Sequence, residues 1–392
     1  MGGRTWEATV SERIGVGVVG LGFIGPFHID AVRRLGYAEV VAVCGSSEAK
    51  GRQAAERLAV ARGYGDWRAL VDDPEVQVVH VCTPNDTHYP IARAALLAGK
   101  HVVCEKPLAM DSRQSAELVA LARERGRVNA VAFTYLGYPL VKEARAMVAR
   151  GDLGEVQLVH GGYLQDWLLF PTDYNWRVEA ELSGASRAIA DIGTHWFTLV
   201  EYVTGLRVRR VMARLKTFLP TRQRPRGGAL AFQRVEGVET EEVPVTTEDC
   251  GMLWLELANG ALATGLISQV SAGRKCMLNI EVNGSQGSVF WNQEQPDQCW
   301  IGRRDRPNQI LFRDPNRLAP TARWAARLPI GHPEGWPDAL RACFEPAYRQ
   351  IREGAPMAGT DYPDFSVGHR AMRFVEAVLQ SHAEERWVVL AD

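Results

Sequence analysis

Residues 14–28 read Ile-Gly-Val-Gly-Val-Val-Gly-Leu-Gly-Phe-Ile-Gly-Pro-Phe-His. A short apolar run in this stretch leads into Gly20, Gly22 and Gly25, which have the spacing G-x-G-x-x-G. Between a strand and a helix, such glycines form the fingerprint of a dinucleotide-binding βαβ unit. Gly20 allows the tight turn, Gly22 allows the approach of a pyrophosphate, and Gly25 allows the helix to pack close to the sheet. Because a helical pattern follows over residues 27–35, the sequence predicts a phosphate site at that helix N-terminus.

The composition is typical of a globular enzyme. The chain has 392 residues, of which 46% are hydrophobic and 23% charged. This length exceeds what one hydrophobic core usually holds, so two domains are expected. The net charge of −1 gives no electrostatic reason to expect nucleic acid or an anionic membrane as a partner.

The seven cysteines are scattered, and no pair has C-x-x-C spacing. The sequence therefore predicts neither a metal site nor a disulfide framework, and buried reduced thiols are expected instead. The first thirteen residues lack the apolar core of a signal peptide, and no apolar run reaches membrane-spanning length. We expect a soluble cytoplasmic protein.

Strands and helices alternate in the first third of the chain. Nearly continuous apolar strands are predicted at 16–19, 40–44, 77–82, 101–104 and 128–133, with helices at 27–35, 48–58, 89–98 and 112–125. This alternation predicts an α/β fold with an N-terminal Rossmann domain, that is, a doubly wound parallel sheet. We assign residues 1–134 to this dinucleotide-binding domain.

The pattern changes after residue 135. Most later runs are of β type, and Asn259-Gly260 favours a type I′ hairpin. Residues 222–228 are basic and rich in Gly and Pro, so they are predicted as a loop. Helices are predicted at 185–203, 337–352 and 365–385. We assign residues 135–392 to a C-terminal α+β domain with a large, mostly antiparallel open sheet, which binds substrate and mediates oligomerisation.

Three further motifs follow the glycine pattern in order. They are Thr83-Pro84-Asn85 with His88, then Glu105-Lys106-Pro107, then Asp191-Ile192-Gly193-Thr194-His195. The first two follow predicted parallel strands, whose carboxyl ends line the crevice where ligands of such sheets bind. We therefore expect them to lie beside the glycine loop and Ser46.

Together these motifs resemble the Gfo/Idh/MocA oxidoreductase family, over nearly the whole chain. The resemblance implies a Rossmann domain followed by an open antiparallel sheet that often forms the oligomer interface. It also implies oxidation or reduction of sugars, cyclitols and related polyols with NAD or NADP. On this basis Lys106 is the catalytic lysine of the family. The usual Tyr-Arg after the fifth strand is Tyr135-Leu136 here, so the role of that arginine is not carried over.

Oxidation of a secondary alcohol needs a base for the hydroxyl proton while hydride leaves for the nicotinamide. His195 is the candidate, because imidazole titrates near neutral pH. Asp191 lies four residues earlier on a predicted helix, where it could orient His195 or hold a substrate hydroxyl; a helix cap and a packed histidine are the alternative. Lys106 could hydrogen-bond the reacting oxygen and stabilise its charge, and a cis Lys106–Pro107 bond is possible.

The predicted tip of the second strand has no carboxylate for the ribose diol that NAD presents. Ser46 and Ser47, with Lys50 or Arg52, could hold a 2′-phosphate, so NADP is favoured unless Glu48 turns inward. Residues expected to contact the cofactor are Gly20, Gly22, Phe23, Ile24, Gly25, Ser46, Ser47, Lys50, Thr83, Pro84, Asn85, His88, Glu105 and Lys106.

Residues 163–177 are rich in aromatic side chains, on which the C–H faces of a sugar ring could lie while polar groups bind its hydroxyls. Half or more of these aromatics could belong to the core. The expected substrate contacts are Tyr135, Tyr163, Gln165, Trp176, Arg177 and His332.

The sequence thus predicts an NAD(P)-dependent dehydrogenase acting on a secondary hydroxyl or keto group of a sugar, glycoside or cyclitol. It is expected to form a homodimer or homotetramer through the C-terminal sheet. One alternative is an NAD-dependent glycosidase or lyase that oxidises the sugar transiently before elimination. The other is a sugar sensor that holds the cofactor without turnover.

Overall fold

The computed structural model describes residues 13–226, 237–355 and 362–390. Residues 1–12, which carry most of the signal-peptide argument, lie outside this part of the chain. Across the described ranges, no helix has both the length and the apolar character needed to cross a membrane.

The first sheet has six strands, all parallel. They are β1 Ile14–Val19, β2 Ala38–Cys44, β3 Arg62–Tyr64, β4 Val78–Val81, β5 His101–Cys104 and β6 Asn129–Val131. Their helices are α1 Gly25–Arg33, α2 Glu48–Leu58, α3 Trp67–Asp72, α4 His88–Leu97 and α5 Ser112–Glu124, with a 3-10 turn at Asn85–Thr87. The order β3-β2-β1-β4-β5-β6 places a topological switch point between β1 and β4, at the glycine loop. The predicted doubly wound sheet is confirmed, and the short β3 and α3 were not predicted.

The second sheet has nine strands. They are β7 Val156–Leu164, β8 Val208–Lys216, β11 Cys250–Leu257, β12 Leu262–Ser268, β13 Met277–Gly284, β14 Ser288–Asn292, β15 Gln298–Gly302, β16 Gln309–Phe312 and β17 Val388–Val389. They lie in the order β16-β15-β14-β13-β7-β12-β11-β8-β17, and only the β7–β12 pair is parallel within the described residues. This confirms the mostly antiparallel open sheet.

Two further strands, β9 Thr221–Pro225 and β10 Thr240–Pro244, form a separate antiparallel pair. The prediction of a loop over residues 222–228 is therefore wrong for 222–225. Pairing with β10 satisfies the backbone of this basic segment, which has no apolar alternation to mark it as a strand. Residues 227 and 228 lie outside the described ranges.

Three helices of this half, α6 Pro139–Ala149, α8 Thr194–Thr204 and α11 Phe365–Glu384, pack on the nine-stranded sheet. The other described helices of this half are α7 Ala180–Ser183, α9 Pro320–Arg323 and α10 Trp336–Glu353. Short 3-10 turns occupy Thr134–Gly137 and Trp176–Val178, and a π turn occupies Ile189–Gly193. The single helix predicted at 185–203 is thus a π turn followed by α8. Contact with α8 is close at Gly265 of β12, where an added Cβ would lie 2.5 Å from the Trp196 ring.

The helix α10 belongs to the second half of the chain but packs on the first sheet. It contacts α1, and its Phe344 and Tyr348 share a buried apolar cluster with Val16 and Val18 of β1. The proposed division between residues 134 and 135 separates the two sheets, while the Rossmann core also uses this later helix. A cleft lies where the two halves meet, and residues of both line it.

Candidate active site

The glycine loop joins β1 to α1, and neighbouring backbone atoms pack closely against Gly20 and Gly25. Gly20 has φ +94°, a left-handed conformation that favours glycine. An added Cβ at Gly25 would lie 2.2 Å from the carbonyl oxygen of Gly20, so only glycine lets the helix approach its own loop. An added Cβ at Gly22 would have no neighbour within 4 Å, which leaves that backbone open to a ligand.

The N-terminus of α1 fits an anion. Its N-cap residue, Ile24, makes no side-chain cap hydrogen bond, and no acidic side chain lies in the first turn. The first N–H groups are therefore available to a pyrophosphate. The open backbone at Gly22 and this uncapped helix together fit a dinucleotide cofactor.

A cleft of about 1370 Å³ runs from this loop to the second sheet. At one end it is lined by Ser46, Lys50 and Arg57, and at the other by side chains of β7 and the 3-10 turn at Trp176–Val178. Predicted cofactor residues that line it are Gly20, Gly22, Phe23, Ile24, Ser46, Lys50, Thr83, Pro84, Asn85, Glu105 and Lys106. The structure thus brings most of the predicted residues to one crevice.

Three predicted cofactor residues support the cleft without lining it. Gly25 is buried within α1, and the hydroxyl of Ser47 accepts from the backbone N–H of Lys50 as the N-cap of α2. The imidazole of His88 lies 2.7 Å from the carbonyl oxygen of Pro107 and 2.9 Å from that of Thr83. It therefore ties together the loops that follow β4 and β5.

The carboxylate of Asp191 joins several polar side chains at the end of the cleft near the second sheet. Its Oδ1 accepts from Lys106 Nζ at 2.7 Å and from Arg177 Nε at 3.1 Å, and its Oδ2 accepts from Gln269 Nε2 at 2.8 Å. Burial would raise the pKa of Asp191, but the charges and hydrogen bonds of Lys106 and Arg177 hold it well below its ordinary value. Asp191 was expected to orient His195 or to hold a substrate hydroxyl. Its hydrogen bonds instead anchor Lys106.

His195 lies in the first turn of α8 and lines the same cleft as Lys106. Its ring packs edge-on against Tyr135, with centroids 4.7 Å apart, and against Phe133 at 5.6 Å. Its Nδ1 is buried and has no hydrogen-bond partner within the described ranges. Burial and the charge of Lys106 lower the pKa of His195 well below 6.5, so the imidazole is neutral at pH 7.

Five of the six predicted substrate residues line the cleft, namely Tyr135, Tyr163, Gln165, Trp176 and Arg177. The guanidinium of Arg177 stacks 4.5 Å from the Trp176 ring. His332 is exposed and is not among the cleft residues. The structure therefore does not bring this sixth expected contact together with the other five.

Several cleft residues were missed by the sequence reasoning. Lys275 and Cys276 lie before β13, and Gln293 follows β14. The hydroxyls of Tyr135 and Tyr163 lie 3.4 and 3.1 Å from Cys276 Sγ. No motif marks these residues, because only the β7–β13 pairing carries them to the cleft.

A buried arginine holds the aromatic loop in place. Arg222 of β9 donates to the carbonyl oxygens of Leu168 at 2.8 Å and of Phe170 and Asp173 at 3.0 Å each. It is also paired with Asp249 at 3.0 Å. The strand that was predicted as a loop therefore fixes the backbone from which Trp176 and Arg177 reach the cleft.

This fold and cleft define a class of protein, the dinucleotide-dependent oxidoreductases with a Rossmann domain. Residues 14–133 match the model of an oxidoreductase family with an NAD-binding Rossmann fold, and residues 141–290 match the GFO/IDH/MocA C-terminal domain. The chain belongs to the Gfo/Idh/MocA oxidoreductase family.

Relatives of known activity align over almost the full length. Levoglucosan dehydrogenase of Pseudarthrobacter phenanthrenivorans is 31% identical over 394 residues, covering 96% of this chain and 98% of the relative. The structure of a levoglucosan dehydrogenase with NADH and levoglucosan has a TM-score of 0.86 at 27% identity, covering 97% and 100% of the two chains. An inositol dehydrogenase homologue from Azotobacter vinelandii, with NADH and myo-inositol, has a TM-score of 0.85 at 31% identity, covering 97% and 98%.

Proposed function

We propose that this oxidoreductase oxidises a secondary hydroxyl of a sugar, glycoside or cyclitol, or reduces the corresponding ketone. The observation that carries the proposal is the shared cleft of the open Gly22 backbone, the Lys106 ammonium and the neutral His195 imidazole. The full-length relatives that bind levoglucosan and myo-inositol support the substrate class.

Each catalytic residue has a separate role in this proposal. The neutral imidazole of His195 accepts the hydroxyl proton through the nitrogen that faces the cleft. Lys106, held by Asp191, donates to the same oxygen and stabilises the negative charge that develops there. A nicotinamide bound in this cleft would supply the acceptor for the hydride of the carbinol carbon.

The substrate end suits a polyol. Tyr163 and Gln165 present a hydroxyl and an amide, which can donate to or accept from sugar hydroxyls. Burial raises the pKa of Tyr163 far above 10, so its hydroxyl keeps its proton. The Trp176 ring and the Arg177 guanidinium add a flat face beside these groups.

NAD(H) is the proposed cofactor. The solved relatives hold NADH, so the comparisons do not support the preference for NADP that the sequence suggested. The Oε2 of Glu48 accepts from the backbone N–H of Gly65 at 3.0 Å, so this oxygen already has a partner in the protein. Lys50 and Arg57 line this end, so a 2′-phosphate would be tolerated there.

The cofactor proposal is tested by measuring kcat/KM with NAD+ and NADP+. Arg57→Ala should lower kcat/KM for NADP+ about 10-fold more than for NAD+, since a lost phosphate contact removes a charge-assisted hydrogen bond. Arg52→Ala is the matched control, because Arg52 lies on the same helix, outside the cleft lining. Equal losses for the two cofactors would place the ribose elsewhere.

The main experiment is a screen of sugars, anhydrosugars and inositols with each oxidised cofactor, monitored by absorbance of the reduced nicotinamide. Stoichiometric formation of the reduced cofactor supports the dehydrogenase. Product without net reduction would identify the glycosidase or lyase alternative. Tight cofactor binding with no turnover on any polyol would identify the sensor.

Self-association through the second sheet is also proposed. The sheet exposes large apolar side chains on the adjacent strands β7, β12 and β11, namely Leu158, Leu262, Leu266, Met252 and Trp254, and on the edge strand β16, namely Ile310 and Phe312. A second copy of the same sheet would cover these side chains. Sedimentation should show a dimer or tetramer that Trp254→Glu dissociates, whereas Ile330→Glu, at an exposed apolar residue outside the sheet, should leave it intact. A monomeric wild-type protein would refute this interface.

A cytoplasmic location remains part of the proposal. All seven cysteines are free thiols, as expected for a protein of a reducing compartment.

A further inference from the structure

Four buried polar side chains form a chain that the proposed chemistry does not use. They lie on separate elements: Tyr348 on α10, His80 on β4, His28 on α1 and Glu105 just after β5. Tyr348 OH lies 2.7 Å from His80 Nε2, the two Nδ1 atoms of His80 and His28 are 2.8 Å apart, and His28 Nε2 lies 3.1 Å from Glu105 Oε1. Tyr348 and both histidines are fully buried.

The chain ends at the catalytic lysine. Glu105 Oε2 accepts from the backbone N–H of Lys106 at 3.1 Å, and both residues line the cleft. His28 lies on the helix whose N-terminus faces the expected pyrophosphate. The chain therefore links the cofactor helix, the end of β5 and the later helix α10 through hydrogen bonds alone.

One end of the chain has a defined donor. A carboxylate only accepts, so His28 donates from Nε2–H to Glu105. Between the two Nδ1 atoms of His28 and His80, one imidazole donates and the other accepts. The hydrogen bond between His80 Nε2 and the hydroxyl of Tyr348 completes the chain. Every member therefore has a hydrogen-bond partner.

This network occupies a layer that apolar side chains could fill. The Phe344 ring packs against both imidazoles, at centroid distances of 4.8 and 5.2 Å. Buried polar groups are tolerated only when they are hydrogen-bonded, and they add nothing to packing that apolar residues would not supply. What they provide here is a fixed carboxylate at the active site.

We propose that His28, His80 and Tyr348 are positioning residues, which hold Glu105 as an oriented carboxylate and through it fix the backbone that carries Lys106. This inference rests on the proposed function, because it assigns the chain a role in that reaction. Loss of the hydrogen bond from His28 should destabilise the ionised form of Glu105. It should also move Lys106 away from its position beside Asp191.

The surroundings of Glu105 agree with this role. Burial would raise the pKa of Glu105, but the hydrogen bond and the charge of His28, followed by the charge of Lys106, hold it below its ordinary value. The titratable groups that face it are His28 of α1, Cys82 after β4, His88 of α4, Cys104 of β5, Lys106 and Cys343 of α10. His80 faces His28 and Tyr348, and Tyr348 faces Tyr37 and Cys82.

The first test compares two substitutions of one residue. His28→Leu removes the donor, so kcat should fall about 10-fold and the acid limb of the kcat–pH profile should move up by about one pH unit. His28→Gln keeps an N–H near the position of Nε2. It should retain most of the wild-type kcat and keep the acid limb near its wild-type position. Cofactor Kd and Tm are measured in parallel, since a purely structural role would lower Tm without moving the pH profile.

A second pair of variants tests the end of the hydrogen-bonded chain at Tyr348. Tyr348→Phe removes the hydroxyl that is hydrogen-bonded to His80 and should lower kcat about 3-fold, a typical effect for one hydrogen bond. Tyr37→Phe is the matched control: this neighbouring hydroxyl is buried and has no partner within the described ranges, so kcat should not change. An unchanged kcat and pH profile in both His28→Leu and Tyr348→Phe would overturn the proposal.

A third measurement needs neither a substrate nor a variant. In wild-type protein with ¹⁵N-labelled histidine, NMR should show a proton on Nε2 of His28, as a donor to Glu105 requires. A His28 imidazole without a proton on Nε2 would overturn the proposal. A wild-type protein that turns over no polyol would refute the proposed function alone, because this measurement would still stand.

Discussion

Lys106 is bound to both the side chain and the backbone of Asp191, a residue 85 positions later in the chain. Its Nζ lies 2.7 Å from Oδ1 and 2.8 Å from the carbonyl oxygen of that residue. Two contacts from one partner restrict the ammonium to a single position at the cleft. Lys106, which follows β5 of the Rossmann sheet, is thereby held by Asp191 in the π turn at Ile189–Gly193.

Replacement of this lysine should remove turnover while leaving the cofactor bound. Lys106→Ala should lower kcat by about 100-fold or more, as expected for loss of a transition-state donor, with little change in cofactor Kd measured by fluorescence. Lys100→Ala is a control at the opposite end of β5, where the amine donates to two backbone carbonyls. That variant should lower Tm but not kcat. If kcat of Lys106→Ala matched the wild type, the lysine would have no place in the mechanism.

Asp191→Asn should cost stability in a pH-dependent way. It leaves Lys106 and Arg177 without their counter-charge, which should lower the free energy of unfolding at pH 7 by about 3–5 kcal/mol. Because the pKa of Asp191 is lower in the folded protein than in the unfolded chain, the contribution of its carboxylate is complete above about pH 4 and declines below it. Urea unfolding of both proteins should therefore show a constant difference from pH 5 to 8.

That difference should narrow as the pH falls below 4. Asp152→Asn provides the comparison, because its ion pair with Arg150 is on the surface and should contribute less than about 1 kcal/mol. A difference between wild type and Asp191→Asn that grew on acidification would contradict the assigned charge state.

His195 should act as a base that is already unprotonated. Because burial lowers its pKa well below 6.5, the wild-type kcat should show no loss attributable to this residue as the pH falls from 7 to 6. His195→Gln should lower kcat by about 100-fold, the usual scale of general base catalysis. His332→Ala, at an exposed histidine outside the cleft, should leave kcat and KM unchanged. Full activity of His195→Gln would assign the base elsewhere.

Two glycines of one loop should respond differently to the same substitution. Gly22→Ala adds a methyl group into open space, so Tm should not change. The KM for the cofactor should rise at least about 10-fold, because the methyl group blocks the approach of the pyrophosphate. Gly25→Ala places its methyl against the Gly20 carbonyl oxygen and should lower Tm by several degrees. Similar Tm values for both variants would show that helix packing does not restrict residue 25.

Local patterns were sufficient for the Rossmann half and its motifs. Apolar strands, helical runs and Gly20-Gly22-Gly25 are short-range features, so the sheet, the glycine loop and the position of Lys106 after β5 could be predicted from adjacent residues. The hairpin at Asn259-Gly260 was predicted for the same reason, but its type I′ turn was wrong, because Gly260 has a positive φ and Asn259 does not. The Lys106–Pro107 bond, considered possible as cis, is cis.

Long-range pairing decided the rest. Asp191 was predicted on the helix of His195, but its carboxylate binds Lys106, because the π turn and the meeting of the two halves determine which groups it reaches. Arg222 lies in a strand that only β10 reveals, and Cys276 reaches the cleft only because β13 pairs with β7. A sequence specifies which residue types follow each strand, whereas contacts between distant strands depend on sheet order and register, which no local pattern encodes.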